Sequence, residues 1–174
     1  QSAQTGFVHF CYENKESRET IPLLENVAFA LALMRSRLSE QVLEGKAILE
    51  RLLAFEVEGN FPVYLHQYPH CRDSKMAEKL SPYFYWAVRE FGAVLGSLKS
   101  RLEERVKPPN LALIPQSAAE WAELCIAAQM ADRSDLLQEA ATHWNQSLSL
   151  YTGPSEKRPQ ERGQPALTLL DLMM

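Results

Sequence analysis

The sequence predicts an all-α protein built from stacked helical hairpins. Apolar residues recur at the three- to four-residue spacing of helices along most of the chain. Helix-start signals, in which Ser or Thr precedes an apolar run, separate these segments. Apart from a short extended piece near Phe7–Phe10, no stretch alternates apolar and polar residues as a strand would. The 174 residues, 46% of them hydrophobic, are expected to form a single helical domain over 1–174.

The first pair of helices is predicted over residues 20–56. Thr20 is the expected N-cap, with Pro22 in the first turn, where its missing N–H costs nothing. The helix around Leu31 is apolar nearly all round, so we expect it to be buried on most sides. Ser39 should cap the second helix, which has a charged face. A buried helix and an amphipathic helix joined by a short turn make a hairpin.

A second pair is predicted over residues 82–106. Ser81 followed by Pro82 marks its start, because proline is favoured in the first turn of a helix. Gly92 and Gly96 interrupt the apolar stripe that follows. Each interior glycine costs ~1 kcal/mol, which favours two helices over one unbroken helix.

The third pair is predicted over residues 117–151, where Ser117 and Glu120 have the spacing of a capping box. All three pairs combine a more apolar helix with a more charged one. That organisation is typical of an α-solenoid, or of an (α/α) toroid with buried inner helices. Residues 152–165 are expected to form a surface loop, and Ala166–Met174 a short closing helix.

Composition excludes several classes of function. The formal net charge is −4, and no Lys/Arg run exceeds two residues, so we expect no nucleic-acid partner. The longest apolar run, Val27–Met34, is too short to cross a membrane. The three cysteines, Cys11, Cys71 and Cys125, form no CxxC pair. This pattern favours a reducing compartment and therefore a cytoplasmic protein, with Cys125 in the core.

The segment 57–73, called the 57–73 loop below, is the stretch richest in functional side chains. In a sugar site, Phe61 or Tyr68 would stack on a pyranose ring, while Asn60 and Arg72 would bind hydroxyl and carboxylate groups. Tyr and His side chains can act as base and acid in the cleavage of a uronic acid. The alternative is a structural plug, in which Phe61, Val63 and Leu65 fill the base of the hairpin while the Tyr and His side chains of the loop bind its carbonyl groups.

The same loop contains residue types that bind metals, namely His66, His70, Cys71 and Asp73. A His-x3-His pair faces one ion only on a helix, and Pro69 argues against a helix there. A Cys71–His70 nucleophile pair is disfavoured because adjacent side chains usually point apart. We therefore expect neither a metal ion nor an organic cofactor.

An Ala/Leu-rich helix, an amphipathic helix ending in LLAFE and then GNFPVYLHQYP follow one another over residues 20–106. This order resembles one layer of the (α/α) toroid domains of heparinase-like polysaccharide lyases and related glycan-processing proteins. The resemblance implies a glycan substrate, with Tyr64 and His66 as acid/base residues and Asn60 and Arg72 facing the sugar carboxylate. A complete toroid has more helices, so the chain is either part of a longer protein or a solenoid.

A second function remains open, because helical hairpins without a clear catalytic group are typical of protein-binding scaffolds. Such scaffolds bind partners through a continuous face. Trp86, Trp121 and Trp144 are expected in the core, and an exposed tryptophan would favour the scaffold, because tryptophan is enriched at interface hot spots. The sequence thus predicts a glycan partner or a protein partner and leaves the oligomeric state open.

Overall fold

The computed structural model describes residues 6–9 and 20–151, which contain six α-helices. Within these ranges the all-α prediction is confirmed: there is no strand, and only two isolated bridges pair extended residues. The chain divides into two compact units, residues 1–107 and 108–174. The loop predicted over 152–165 and the closing helix predicted over Ala166–Met174 lie outside the described residues.

The predicted first hairpin is present in the first unit. Helix α1 spans Leu23–Arg35 and α2 spans Ser39–Leu52, followed by a short 3-10 helix at Leu53–Phe55. The two helices approach closely at Gly45, where an added Cβ would lie 2.5 Å from the Ala30 carbonyl oxygen. The absence of a side chain at this position therefore allows α2 to pack directly on the backbone of α1.

Both helix starts differ from the sequence prediction. Thr20 does not cap α1; the N-cap is Pro22, and the helix begins at Leu23. Ser39 is the first residue of α2, after Leu38 as N-cap. In the turn between α1 and α2, a different serine makes the hydrogen bond: the Ser36 hydroxyl accepts from the Leu38 N–H at 3.2 Å.

Helix α1 buries one stripe rather than most of its circumference. The buried residues follow helical spacing: Leu23, Asn26, Val27, Ala30, Leu31 and Met34. On the other side, Phe29 is half-buried and Ala32 is exposed. The expectation of burial on most sides is therefore only partly met, although Leu31 is a core residue as predicted.

The second pair is unequal, with a long α3 at Met76–Leu95 and a short α4 at Leu98–Glu103. The predicted start at Ser81 and Pro82 is wrong, because Pro82 lies inside α3. The helix starts earlier because contacts from the 57–73 loop satisfy its first N–H groups. The predicted division of this pair into two helices is present at Gly96. Its φ of +60° is not helical, and α3 ends there.

Ser81 has a different role from the predicted helix cap. It is 3% exposed, and its hydroxyl accepts a hydrogen bond from the Lys107 N–H at 2.7 Å. The bond attaches the chain that follows α4 to the side of α3. A buried hydroxyl with a backbone partner avoids the cost of an unpaired polar group.

The second unit contains the predicted third hairpin. Helix α5 spans Ala118–Met130 and α6 spans Ser134–Tyr151. The Ser117 half of the predicted capping box is confirmed, since its side chain accepts a hydrogen bond from the Glu120 N–H at 3.3 Å. The Glu120 carboxylate accepts from the Gln116 N–H, one residue before the position that a capping box requires. Cys125 is fully buried, as predicted, in a cluster of buried residues that also contains Ala122, Leu124, Ala140 and Trp144.

Over residues 6–9 and 20–151, no helix is both long and apolar enough to span a membrane. A single domain and a solenoid or toroid arrangement of the hairpins remain predictions.

Candidate functional site

The 57–73 loop begins with a tight turn. Val57 and Asn60 exchange two backbone hydrogen bonds, with N···O distances of 2.9 and 3.0 Å. The central residues Glu58 and Gly59 have φ angles of 49° and 79°, the positive pair that a type I′ turn requires. The turn places the Asn60 side chain against the start of α3.

Asn60 uses both ends of its side-chain amide on backbone groups. Its Nδ2 donates to the Asp73 carbonyl at 2.8 Å, and its Oδ1 accepts from the Ala77 N–H at 2.9 Å. Ala77 is the second residue of α3, and its N–H has no acceptor within the helix. Asn60 therefore caps α3 from a distant position in the sequence, which competes with its predicted role of binding a sugar.

The middle of the loop performs a similar function for α1. The Leu23 N–H donates to the Val63 carbonyl, and the Leu65 N–H donates to the Ile21 carbonyl, both at 3.0 Å. These bonds form an antiparallel bridge in which Tyr64 lies opposite Pro22. Because Leu23 is the first residue of α1, the loop backbone supplies an acceptor that the helix itself lacks.

The two predicted acid/base residues, Tyr64 and His66, stack on each other. Their ring centroids are 5.7 Å apart, and their planes differ by 9°. Tyr64 is half-buried and His66 is exposed. Neither lines the hollow described below, so the structure does not bring them to the other predicted site residues there.

The two predicted stacking residues have different environments. Phe61 is only 1% exposed, and its ring packs edge-on against Phe84 at 6.1 Å. The prediction of Phe61 as a sugar platform is corrected, because an aromatic side chain after this turn is more stable inside the core. Tyr68 is 49% exposed and contacts Phe55 edge-on at 5.6 Å, so it does present its ring to solvent.

An open hollow of about 460 Å³ lies along the two ends of the loop. Its lining residues are Val57, Glu58, Asn60, Pro69, His70, Cys71, Arg72 and Ser74. Of the predicted sugar-binding residues, the hollow therefore brings together Asn60 and Arg72, but not Phe61 or Tyr68. Its polar side chains could bind a small anionic or hydroxylated group.

The electrostatics of the hollow disfavour a cysteine nucleophile. Burial, and to a smaller extent the negative charge of Glu58, raise the pKa of the Cys71 thiol. A thiol with a raised pKa stays protonated at neutral pH, and the protonated form is a poor nucleophile. Within residues 6–9 and 20–151, no group of three or more His, Cys, Asp or Glu side chains could hold a metal ion.

Asp73, at the end of the loop, completes the start of α3. Its carboxylate accepts from the Lys79 ammonium at 2.7 Å and from the Lys75 N–H at 2.9 Å. The hydrogen bond from Lys79, followed by that from Lys75, lowers the pKa of Asp73. Asp73 is therefore a helix-start residue, whose carboxylate is engaged by Lys75 and Lys79.

A second cluster lies between α1 and α3, and we call it the Trp86 patch: Arg35, Tyr85, Trp86, Arg89 and Glu90. The Arg35 and Arg89 guanidinium groups lie 5.9 and 5.4 Å from the Trp86 ring centroid, within cation–π range. Arg89 also donates to the Tyr85 hydroxyl at 2.5 Å. Arg35 forms an ion pair with Glu90 at 2.5 Å. Tyr85 and Trp86 are half-buried, so the patch is part of the surface.

The Trp86 patch contains one unmet hydrogen-bond donor. The indole Nε1 of Trp86 is buried and has no acceptor among the residues that the structure describes. An enclosed N–H without a partner is costly, typically by ~1–3 kcal/mol. The nearest charged groups over the ring, two guanidinium groups, are donors and cannot satisfy it.

The sequence prediction placed Trp86 in the core and did not identify the patch. One signal was visible: Tyr85 and Arg89 have the i, i+4 spacing that places side chains together on a helix. The contribution of Arg35 could not be read from the sequence, because it depends on how α1 packs on α3.

Comparisons with protein-family models, curated proteins and solved structures found no match to this chain.

Proposed function

We propose that this chain is a helical-hairpin interaction module that binds a carboxylate-bearing protein surface through the Trp86 patch. The observation that carries this proposal is a half-buried tryptophan in contact with two arginines on the surface of the α1–α3 pair. Trp, Tyr and Arg are the residues most enriched among interface hot spots.

The arginines of the patch favour a partner that carries carboxylates. Arg35 pairs with the Glu90 carboxylate, and the Arg89 guanidinium lies 5.7 and 5.4 Å from the ring centroids of Tyr85 and Trp86. A guanidinium group whose face lies over an aromatic ring can still bind a carboxylate through its edge.

The structural use of the 57–73 loop supports a binding module over an enzyme. Asn60 caps α3, and Val63 accepts from the first residue of α1. Phe61 is in the core. These residues hold the starts of α1 and α3 together. This arrangement favours the structural plug, the alternative to a catalytic site.

Glycan binding is the second candidate, and the hollow favours it. Arg72, His70 and Asn60 line this open surface, and Arg is well suited to bind the carboxylate of a uronic acid. In this version of the function, Arg72 rather than Tyr64 or His66 is the residue that contacts the sugar.

The interaction proposal is tested with a panel of short peptides that differ in the number and position of Asp and Glu residues. Binding of each peptide to the wild type, Arg89→Ala and Arg101→Ala is measured by fluorescence anisotropy. Both substitutions remove one exposed positive charge, but only Arg89 contacts Tyr85 and Trp86. We expect Arg89→Ala to weaken the best acidic peptide ~tenfold, and Arg101→Ala to change it less than ~twofold.

Two results would count against the proposal. The first is equal weakening by Arg89→Ala and Arg101→Ala, which indicates unspecific charge attraction. The second is a panel in which acidic peptides bind no better than neutral ones.

A further inference from the structure

Three exposed apolar side chains lie on α2 and α3, and we call them the aliphatic strip: Leu43, Ala93 and Val94. Leu43 lies in the second turn of α2, and the other two lie in the last turn of α3. Leu43 is 61% exposed and Val94 is 43% exposed. A single exposed apolar residue is ordinary, whereas neighbouring ones indicate a contact surface.

The aliphatic strip and the Trp86 patch form one surface. The Lys46 ammonium, three residues after Leu43 on α2, donates to the Val94 carbonyl at 3.0 Å, so the two helices meet at this point. Along α3, Ala93 lies two turns beyond Trp86 on the same side of the helix. The surface therefore extends for ~10 Å along α3 from the patch to the strip.

The two ends of this surface differ in chemistry. At one end, the guanidinium groups of Arg35 and Arg89 lie 5.9 and 5.4 Å from the Trp86 ring centroid. Guanidinium groups in this arrangement bind carboxylates through their edges. At the other end, Leu43 and Val94 present aliphatic carbon to solvent. The surface is thus complementary to a segment with a carboxylate at one point and aliphatic side chains ~10 Å away.

The secondary structure of this surface favours a helical segment over an extended one. The described residues that form it belong to α1, α2 and α3, so it presents no strand edge. An extended segment lying on it would bury backbone N–H and C=O groups without partners. A helix satisfies its own backbone groups, and it places residues seven positions apart on one side at a separation of ~10 Å.

We propose that the partner segment bound by the Trp86 patch is an amphipathic helix. Its carboxylate binds at Arg89, and its aliphatic side chains, two turns away on the same face, pack on the aliphatic strip. Docking of an amphipathic helix through side chains at helical spacing is a common mode of peptide recognition. The inference rests on the proposed function, because it uses the same patch, and it adds the class of partner.

The first test uses two designed, fluorescein-labelled helical peptides of ~20 residues, a length at which an isolated helix can form. Both have the same composition, with a pair of Glu and a pair of Leu residues separated by two turns. In one peptide all four lie on a single face, and in the other the Leu residues lie on the opposite face. Fluorescence anisotropy with the full chain should show at least ~tenfold tighter binding of the single-face peptide.

The second test changes the aliphatic strip of the protein. Leu43→Ser and Val94→Ser each remove one exposed aliphatic side chain, and Ile114→Ser, at a 79% exposed position of the second unit, is the matched control. We expect each strip variant to weaken binding of the single-face peptide at least ~fivefold, and Ile114→Ser to change it less than ~twofold.

The outcomes separate the inference from the proposed function. If Arg89→Ala weakens binding of acidic peptides while both strip variants leave it unchanged, the inference is overturned and the proposed function stands. Equal binding of the two designed peptides also overturns the inference. If no acidic peptide binds, both fail. Self-association of the full chain in light scattering, abolished by Leu43→Ser, would assign the strip to a second copy and likewise overturn the inference.

Discussion

Gly45 is the position where a single atom decides how the first hairpin packs. An added Cβ would lie 2.5 Å from the Ala30 carbonyl oxygen and 2.7 Å from the Met34 Cγ. The first of these atoms is backbone, so the two helices would have to separate. Gly92 in α3 differs, because a Cβ there would meet only the flexible side chain of Lys99, at 3.5 Å.

We therefore predict opposite effects of the same substitution at these two glycines. Gly45→Ala should lower the free energy of unfolding by ~1–3 kcal/mol, because overpacking outweighs the better helix propensity. Gly92→Ala should leave it unchanged or raise it by up to ~1 kcal/mol. Urea unfolding of both variants measures this difference, and a stabilised Gly45→Ala protein would refute the close contact.

Only part of this difference between the glycines could be predicted from the sequence. Gly92 and Gly96 were identified because they interrupt an apolar stripe, and Gly96 does end a helix. Gly45 stands alone in an amphipathic helix, and its contact is with a residue of another helix. Close approach of two helices is a tertiary property that periodicity along one chain does not contain.

At the scale of elements, the start of a helix was predictable from the sequence where the residue that caps it lies close by in the chain. The Ser117 cap is local, since its hydroxyl binds an N–H three residues later, and the sequence predicted it. The start of α3 depends on Asn60, and the start of α1 on the Val63 carbonyl. Such distant partners leave no local signal, so the sequence placed the start of α3 at Ser81 and Pro82 instead.

The start of α6 gives a pH-dependent prediction. Hydrogen bonds from Arg133 and then from the Leu136 N–H lower the pKa of Asp135 to about 2. A carboxyl group with a lowered folded-state pKa stabilises the protein above its unfolded value, and this contribution is lost as the pH falls through the folded value. We expect the loss between about pH 4, near the unfolded pKa, and pH 2.

Carboxyl carbon NMR titration of Asp135 measures this directly. The stability difference between the wild type and Asp135→Asn should also shrink as the pH is lowered through that window. Asp132→Asn, which removes a neighbouring charge, is the control. A titration of Asp135 close to the ordinary value of ~3.9 would contradict the Arg133 contact.

At the scale of the whole molecule, the sequence predicted the helical class and two of the three hairpins closely. It also identified the 57–73 loop as unusual, and this loop does link the starts of α1 and α3. The role of each side chain could not be predicted, because the local sequence around Phe61 would be the same whether its ring packed in the core or stacked on a sugar. Only the packing of the loop against both helices distinguishes a structural link from a binding surface.

We interpret the 57–73 loop as a structural link between the starts of α1 and α3, and not as a catalytic site. Urea unfolding of Asn60→Ala beside Arg72→Ala, with binding of a uronic-acid oligosaccharide measured on the same samples, tests it most directly. We expect Asn60→Ala to lower the free energy of unfolding by ~1–3 kcal/mol, because the Ala77 N–H and the Asp73 carbonyl lose their partner. For Arg72→Ala, at an exposed position, we expect the free energy of unfolding to change by no more than ~0.5 kcal/mol. Unchanged stability in both variants, with loss of oligosaccharide binding in both, would contradict it.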